Sequence, residues 1–209
     1  MLSLHTWVLF CLACVALVAT PGPSIVFLVS RTLAQGRAAG VKSLVGTSAG
    51  FAIHALAAAF GLSALLAAVP LAFEVVRWAG AAYLAWLALV TWRAGNDQRL
   101  KQNGAVLPAG RLVRQGFLTA LLNPKVALFQ LALFPQFVSP ENGSVLTQSL
   151  LLAATQLVIV VVGDSLFVLG AATVRRWFTE RPGWGRISHR ALALVFAALA
   201  ARLVWQERP

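Results

Sequence analysis

Two short clusters place proline, glycine, asparagine and lysine where they can do chemistry. Thr20-Pro21-Gly22-Pro23 interrupts the run WVLFCLACVALVATPGPSIVFLV, and Asn123-Pro124-Lys125 interrupts FLTALLNPKVALFQLALFPQFV. A proline inside a helix removes one hydrogen bond and clashes with the carbonyl four residues back, so both apolar runs should break. A break strips partners from the last carbonyls of one segment and the first amides of the next. The carbonyl end carries partial negative charge and suits an ammonium or other cation, whereas the amide end suits a carboxylate. A zwitterion needs both, a short distance apart. Gly22 lets a ligand come close to the backbone. Pro23 suits the first turn of the restarted helix, where a missing N–H costs nothing.

Few ionisable groups lie in the apolar runs, and each is a candidate for function. Lys125, beside the second break, reads as a counter-charge for a substrate carboxylate, against snorkelling to the interface. Asp164, in VIVVVGDSLFVLG, is the one carboxylate deep in an apolar run. It is a candidate for a substrate ammonium, a coupling proton or a pairing with Lys125. His54 is a second proton-path candidate, with a hydrogen-bonded packing role as the alternative. Gln130 and Gln156 either line a cavity or bond across helices. Cys11 and Cys14 form a CxxC, but a structural zinc site needs four ligands and only His5 lies close in sequence, which leaves the set incomplete. The pair reads as helix packing, and neither a metal nor a cofactor is expected.

The elements that must position these groups are membrane helices. Of the 209 residues, 59% are hydrophobic and 11% charged, against about 25% charged in a soluble domain. Such a chain lacks the polar covering a soluble globule needs. Its charge of +11 sits in short connectors rather than on one face, so topology explains it better than nucleic acid does. Six spans are expected, at about 4–30, 41–68, 71–92, 115–138, 146–174 and 188–205, each near the roughly 17–25 residues that cross a bilayer. No connector is long enough for a soluble domain, so residues 1–209 form one transmembrane domain. MLSLHTWV carries no Lys or Arg, so the first span is expected to be retained rather than cleaved as a signal peptide.

Most of the 17 basic residues fall in the odd connectors, among them Arg31, Arg37 and Lys42 in the first. Basic loops stay cytoplasmic, which puts both termini outside. Three spans per half give the halves, about 1–93 and 112–206, opposite orientations. Interrupted helices at matching places of inverted repeats point to a transporter binding site. At 1.5 Å per residue, Thr20 lies roughly 24 Å from the outer end of its span and Asn123 roughly 12 Å from the inner end of its own. Both depths fall between the midplane and the cytoplasmic face. Gly46-xxx-Gly50 reads as close helix packing, with a homodimer face as one use for it. Trp7, Trp78, Trp92, Trp177, Trp184 and Trp205 lie near span ends, as interfacial anchors do.

The stretch TPGPSIVFLVSRTLAQGRAAGVKSLVGTSAG resembles the start of the lysine/threonine/homoserine exporter family, LysE/RhtB. GLSALL, GAAYLAWLAL and GFLTALLNPKVALFQLALFPQFV match it further along. The resemblance covers roughly residues 4–170, and the last span adds nothing to it. It implies a bacterial inner-membrane exporter of amino acids or close derivatives, driven by the proton motive force, with no enzymatic activity. It also makes Thr20, Pro21, Gly22, Pro23, Asn123, Pro124 and Lys125 the signature positions. A divalent-metal exporter of the wider superfamily is the alternative. The spans lack clustered ligands for that role, and nothing resembles the nucleophile–base pair of a membrane-embedded enzyme.

Overall fold

A computed structural model of the chain describes residues 3–20, 22–61 and 107–178, with further helical positions within 78–93 and 194–205. Pro21, Trp184 and the starts of the expected third and sixth spans lie outside the described residues. Among the described residues every regular element is helical. The elements are α1 (Leu4–Ala19), α2 (Pro23–Gln35), α3 (Arg37–Ala59), α4 (Ala109–Leu121), α5 (Pro124–Leu128) and α6 (Val145–Phe178). The chain leaves α5 through a π-helical turn, Phe129–Leu133, and 3-10 turns at Phe134–Phe137 and Pro140–Asn142.

Local chemistry sets these limits. Ser3 caps α1 by accepting from the Thr6 amide at 3.1 Å, which satisfies one of the amides a helix start leaves unpaired. Pro23 and Pro124 each occupy the first turn of a restarting helix. Gly36, at φ +91°, turns α2 into α3 in a single residue, a backbone conformation that L side chains rarely adopt. The helix of the second span ends at Ala59, short of the expected residue 68. Gly61 follows at φ +78° and donates to the Ala58 carbonyl at 3.1 Å, a left-handed stop of the kind glycine provides.

α3 and α6 are each long and apolar enough to cross a membrane, with mean hydropathies of 1.2 and 2.3. The α1–α2 pair bends by 50° and the pair Ala109–Leu121 with Pro124–Phe137 by 43°; counted as broken spans, they bring the total among the described residues to four. The exterior is apolar: Leu12, Val15, Val158, Val162 and Leu166 all lie more than half exposed. A soluble monomer seldom shows so continuous an apolar surface, and a bilayer covers it.

α3 and α4 meet backbone to backbone. A Cβ on Gly46 would overlap the Val113 carbonyl oxygen, and one on Gly116 would overlap the Ser43 carbonyl oxygen. The glycine motif that offered a homodimer face is therefore spent within the chain. Two apolar clusters flank the middle of α6. Phe10, Cys14, Phe51, Phe129, Phe134, Leu152 and Val160 form one; Phe27, Leu28, Ala81, Leu84, Val168 and Ala200 form the other. Phe10 meets Phe129, Phe134 and Phe137 edge-on, at 6.3, 5.8 and 5.2 Å between centroids. Trp7 donates from Nε1 to Thr155 Oγ1 at 3.2 Å, tying α1 to α6. Asp164 lies between the clusters, one turn from Val160 and one from Val168.

Candidate functional site

The two breaks meet. α1 ends at Ala19 and α4 at Leu121, and both chains restart on a proline after a non-helical residue, Gly22 or Asn123. The register of the pair is thus Gly22-Pro23 against Asn123-Pro124, so Pro23 rather than Pro21 is the counterpart of Pro124. Asn123 is buried and works on both sides. Its Oδ1 accepts from the Lys125 amide at 3.1 Å, capping α5, and its Nδ2 donates to Ser24 Oγ at 2.9 Å, reaching α2. α2 itself starts on Gly22 with no side-chain cap. Its first amides therefore keep the partial positive charge of a helix N-terminus.

Lys125 crosses from the second break to the first. Its Nζ donates to the carbonyls of Leu17 and Thr20, in the last turn of α1 and its C-cap. These carbonyls lose their helical partners because the helix stops, and an ammonium complements the negative end of the helix dipole. The lysine stem runs past Gly22, where a Cβ would lie 3.1 Å from Lys125 Cδ. Any larger residue at 22 would crowd that stem. Its ammonium is held by the backbone of the first break.

A cavity of about 40 Å³ opens here, lined by Leu17, Gly22, Ser24, Asn123, Lys125 and Asp164, with Thr47, Phe51 and Val160 among its walls. A water needs roughly 10–15 Å³ of such space, so the cavity takes a few waters and no amino acid while Lys125 lies across it. Asp164 is 5% exposed and within electrostatic range of Lys125. The site thus combines two backbone carbonyls, one ammonium, one carboxylate and an uncapped helix N-terminus.

Of the sequence candidates, Gly22, Asn123, Lys125 and Asp164 line the cavity, with Pro23 and Pro124 buried behind them. Thr20 contributes its carbonyl, while its hydroxyl donates back to Ala16 O at 2.8 Å. His54 stands apart from the cavity lining. Its Nε2 lies 2.9 Å from the Leu121 carbonyl, one of those α4 leaves unpaired at its break. Gln130 and Gln156 bond across helices, Nε2 to Oε1 at 3.1 Å, about two turns along α6 from Asp164.

Two contributors to the site, and one buried charge outside its lining, were not legible beforehand. The Leu17 carbonyl is a backbone group, invisible to a search by residue type. Ser24 is a lone small hydroxyl with no motif of its own, although it immediately follows the break. Arg31, expected in the first connector, lies inside α2 at 3% exposure. Its Nη2 donates to Gln115 Oε1 at 2.9 Å, and its guanidinium sits 5.6 Å above the Phe27 ring. The Gln115 carbonyl in turn accepts from Tyr83 Oη at 3.2 Å. The cue available was position: Arg31 follows eight residues after Pro23, within reach of the same uninterrupted helix.

Comparison with known proteins bears on the whole chain. The family model described as LysE type translocator matches residues 15–207. The match runs through the sixth span, which corrects the expectation that the resemblance stops near residue 170. A homoserine/homoserine lactone efflux protein of Salmonella typhimurium is 30% identical over 202 residues, 97% of each chain. A leucine efflux protein of an Enterobacter species is 28% identical over 188 residues, 90% of this chain and 89% of the relative. An uncharacterized membrane protein of Vibrio cholerae is 33% identical over 141 residues, 68% of this chain and 69% of the relative. No solved structure matches. The chain belongs to the LysE type translocator family.

Proposed function

We infer that this protein is an amino-acid efflux transporter of the bacterial inner membrane, and that its substrate binds where the two breaks meet. The observation that carries this is the Lys125 bridge, which brings the second break's charge onto the first break's unpaired carbonyls beside a buried carboxylate. Broken helices at the midplane supply ion and substrate sites in transporters. The relatives supply the rest: homoserine, homoserine lactone and leucine each carry a primary α-amino group, and the printed names call the proteins efflux proteins.

The architecture proposed is six spans as two inverted three-helix repeats, with both termini periplasmic and the basic connectors cytoplasmic. The matching Gly22-Pro23 and Asn123-Pro124 restarts support it. Transport moves a solute without bond chemistry, so no enzymatic step is assigned. Overexpression tests the function on a panel of toxic amino acids and analogues. Resistance to at least one, with faster appearance of that compound outside the cell, is the expected outcome. Resistance to none, with no change in export, would sink the assignment.

Asp164 is proposed as the proton carrier, with His54 acting as a cap for the broken α4. The imidazole is engaged with Leu121 O, whereas the carboxylate faces the cavity with Lys125 opposite. A buried carboxylate is costly to ionise unless a cation is near, so binding and release of a cation beside it should be linked to its proton. Asp164→Asn should flatten the dependence of export on external pH, whereas His54→Gln should keep the wild-type profile. An unchanged profile in Asp164→Asn argues against a proton on this residue.

A further inference from the structure

We propose that the Leu17 and Thr20 carbonyls form the substrate's amine site, and that Lys125 holds this site as a tethered stand-in for the substrate ammonium. The transported class is then defined by a protonated primary amine, and the free carboxylate is a secondary feature. This inference rests on the assignment of the cavity as the substrate site.

The geometry is specific to an ammonium. Nζ donates to two backbone carbonyls in the last turn of α1 and its C-cap, where the helix dipole is negative. An ammonium has three donors and no acceptor, which is what two converging carbonyls and a facing carboxylate complement. A substrate amine has the same three donors. It can take the same two carbonyls only if Lys125 leaves, and the cavity has no room for both. Exchange is therefore one cation for another on the same carbonyls. Lys125 is anchored from α5, on the far side of the cavity, so leaving does not take it out of the site. The displaced ammonium swings toward Asp164, or toward a substrate carboxylate when there is one. Lysine thus has two positions: on the α1 carbonyls in the empty site, and on a carboxylate in the loaded one. A substrate without a carboxylate still leaves Asp164 for the lysine. A substrate without an amine has nothing to offer the carbonyls and must strip Lys125 from them without replacement.

Competition in proteoliposomes separates these requirements. Purified wild-type protein is loaded with the amino acid that the resistance panel identifies. Uptake of the labelled compound by counterflow is then measured against its own carboxamide and its own N-acetyl derivative. The carboxamide should compete within about tenfold of the parent, whereas the N-acetyl compound, lacking charge-assisted donors, should be weaker by about 100-fold or more. Competition by the N-acetyl compound but not the carboxamide, with the parent still transported, would overturn the amine site and leave the transport assignment standing. No counterflow of any amino acid would instead remove the assignment of the cavity, and the amine site with it.

A second readout needs Lys125→Met, which vacates the carbonyls and keeps the stem. With the purified variant in detergent, the ratio of dissociation constants for the parent and its carboxamide, read by equilibrium binding rather than by transport, should shift toward the carboxamide by about tenfold, because only the zwitterion loses a partner. Equal loss for both would make Lys125 a structural tie between the breaks and overturn the stand-in role.

Discussion

Lys125→Met should reduce export of a zwitterionic amino acid to background, about 100-fold or more, while the protein still reaches the membrane. The side chain makes two bonds from a charged donor to carbonyls, and bonds of that kind are worth about 1.5–3 kcal/mol each. Their loss would not show as misinsertion, because the flanking segments ALFQLALF and FLTALL remain apolar. It would show in the transport cycle. The carbonyls of α1 would stand without a cation in the empty state, and a carboxylate would find no counter-charge in the loaded one. The check is efflux of a preloaded amino acid from cells expressing matched amounts of each protein in the membrane fraction. Export within about threefold of wild type would return Lys125 to a structural or interfacial role.

A single methyl at position 46 should be nearly as damaging, through packing alone. A Cβ there would overlap the Val113 carbonyl oxygen, and a backbone carbonyl cannot turn aside as a flexible side chain can. Gly46→Ala must therefore push α3 off α4. Overpacking typically costs about 1–3 kcal/mol, and contact with backbone belongs at the upper end. α4 leads directly into Asn123 and Lys125, so displacing it also misplaces the site, and transport should fall together with thermal stability. Gly110→Ala is the control. It lies on α4, in the first turn, with nothing within 4 Å of its Cβ position, and replacing glycine by alanine in a helix favours folding by up to roughly 0.5–1 kcal/mol. Thermal unfolding in detergent, followed by size-exclusion chromatography, should show a lower midpoint for Gly46→Ala and an unchanged or higher one for Gly110→Ala. Equal midpoints would mean that the α3–α4 seam is looser than the contact between Gly46 and Val113 implies.

What was legible beforehand were features that one residue imposes on its own neighbourhood. Proline ends a helix wherever it falls, so both breaks could be read directly, as could the restart on Pro23. Long apolar runs pointed to membrane helices because lipid contact demands continuous hydrophobicity, and up to four of the six expected spans stand among the described residues. What was not legible depends on which segment lies against which. Lys125 suited a carboxylate as long as its own helix was considered alone. Its place on the carbonyls of α1 follows from contact between halves more than 100 residues apart. Gly46 and Gly50 announced a close approach without naming the partner, and α4 within the chain proved to be that partner. Arg31 looked like a loop charge because composition alone does not show that α2 continues to Gln35.

Two things matter most: where an amino acid sits and what Lys125 does when it arrives. An experimental density map of the protein with a transported amino acid bound decides both. The expected result is a ligand between Gly22 and Asn123, with its amino nitrogen on the Leu17 and Thr20 carbonyls and the Lys125 side chain moved toward a carboxylate. A ligand elsewhere in the molecule, or one bound with Lys125 still on those carbonyls, would contradict it.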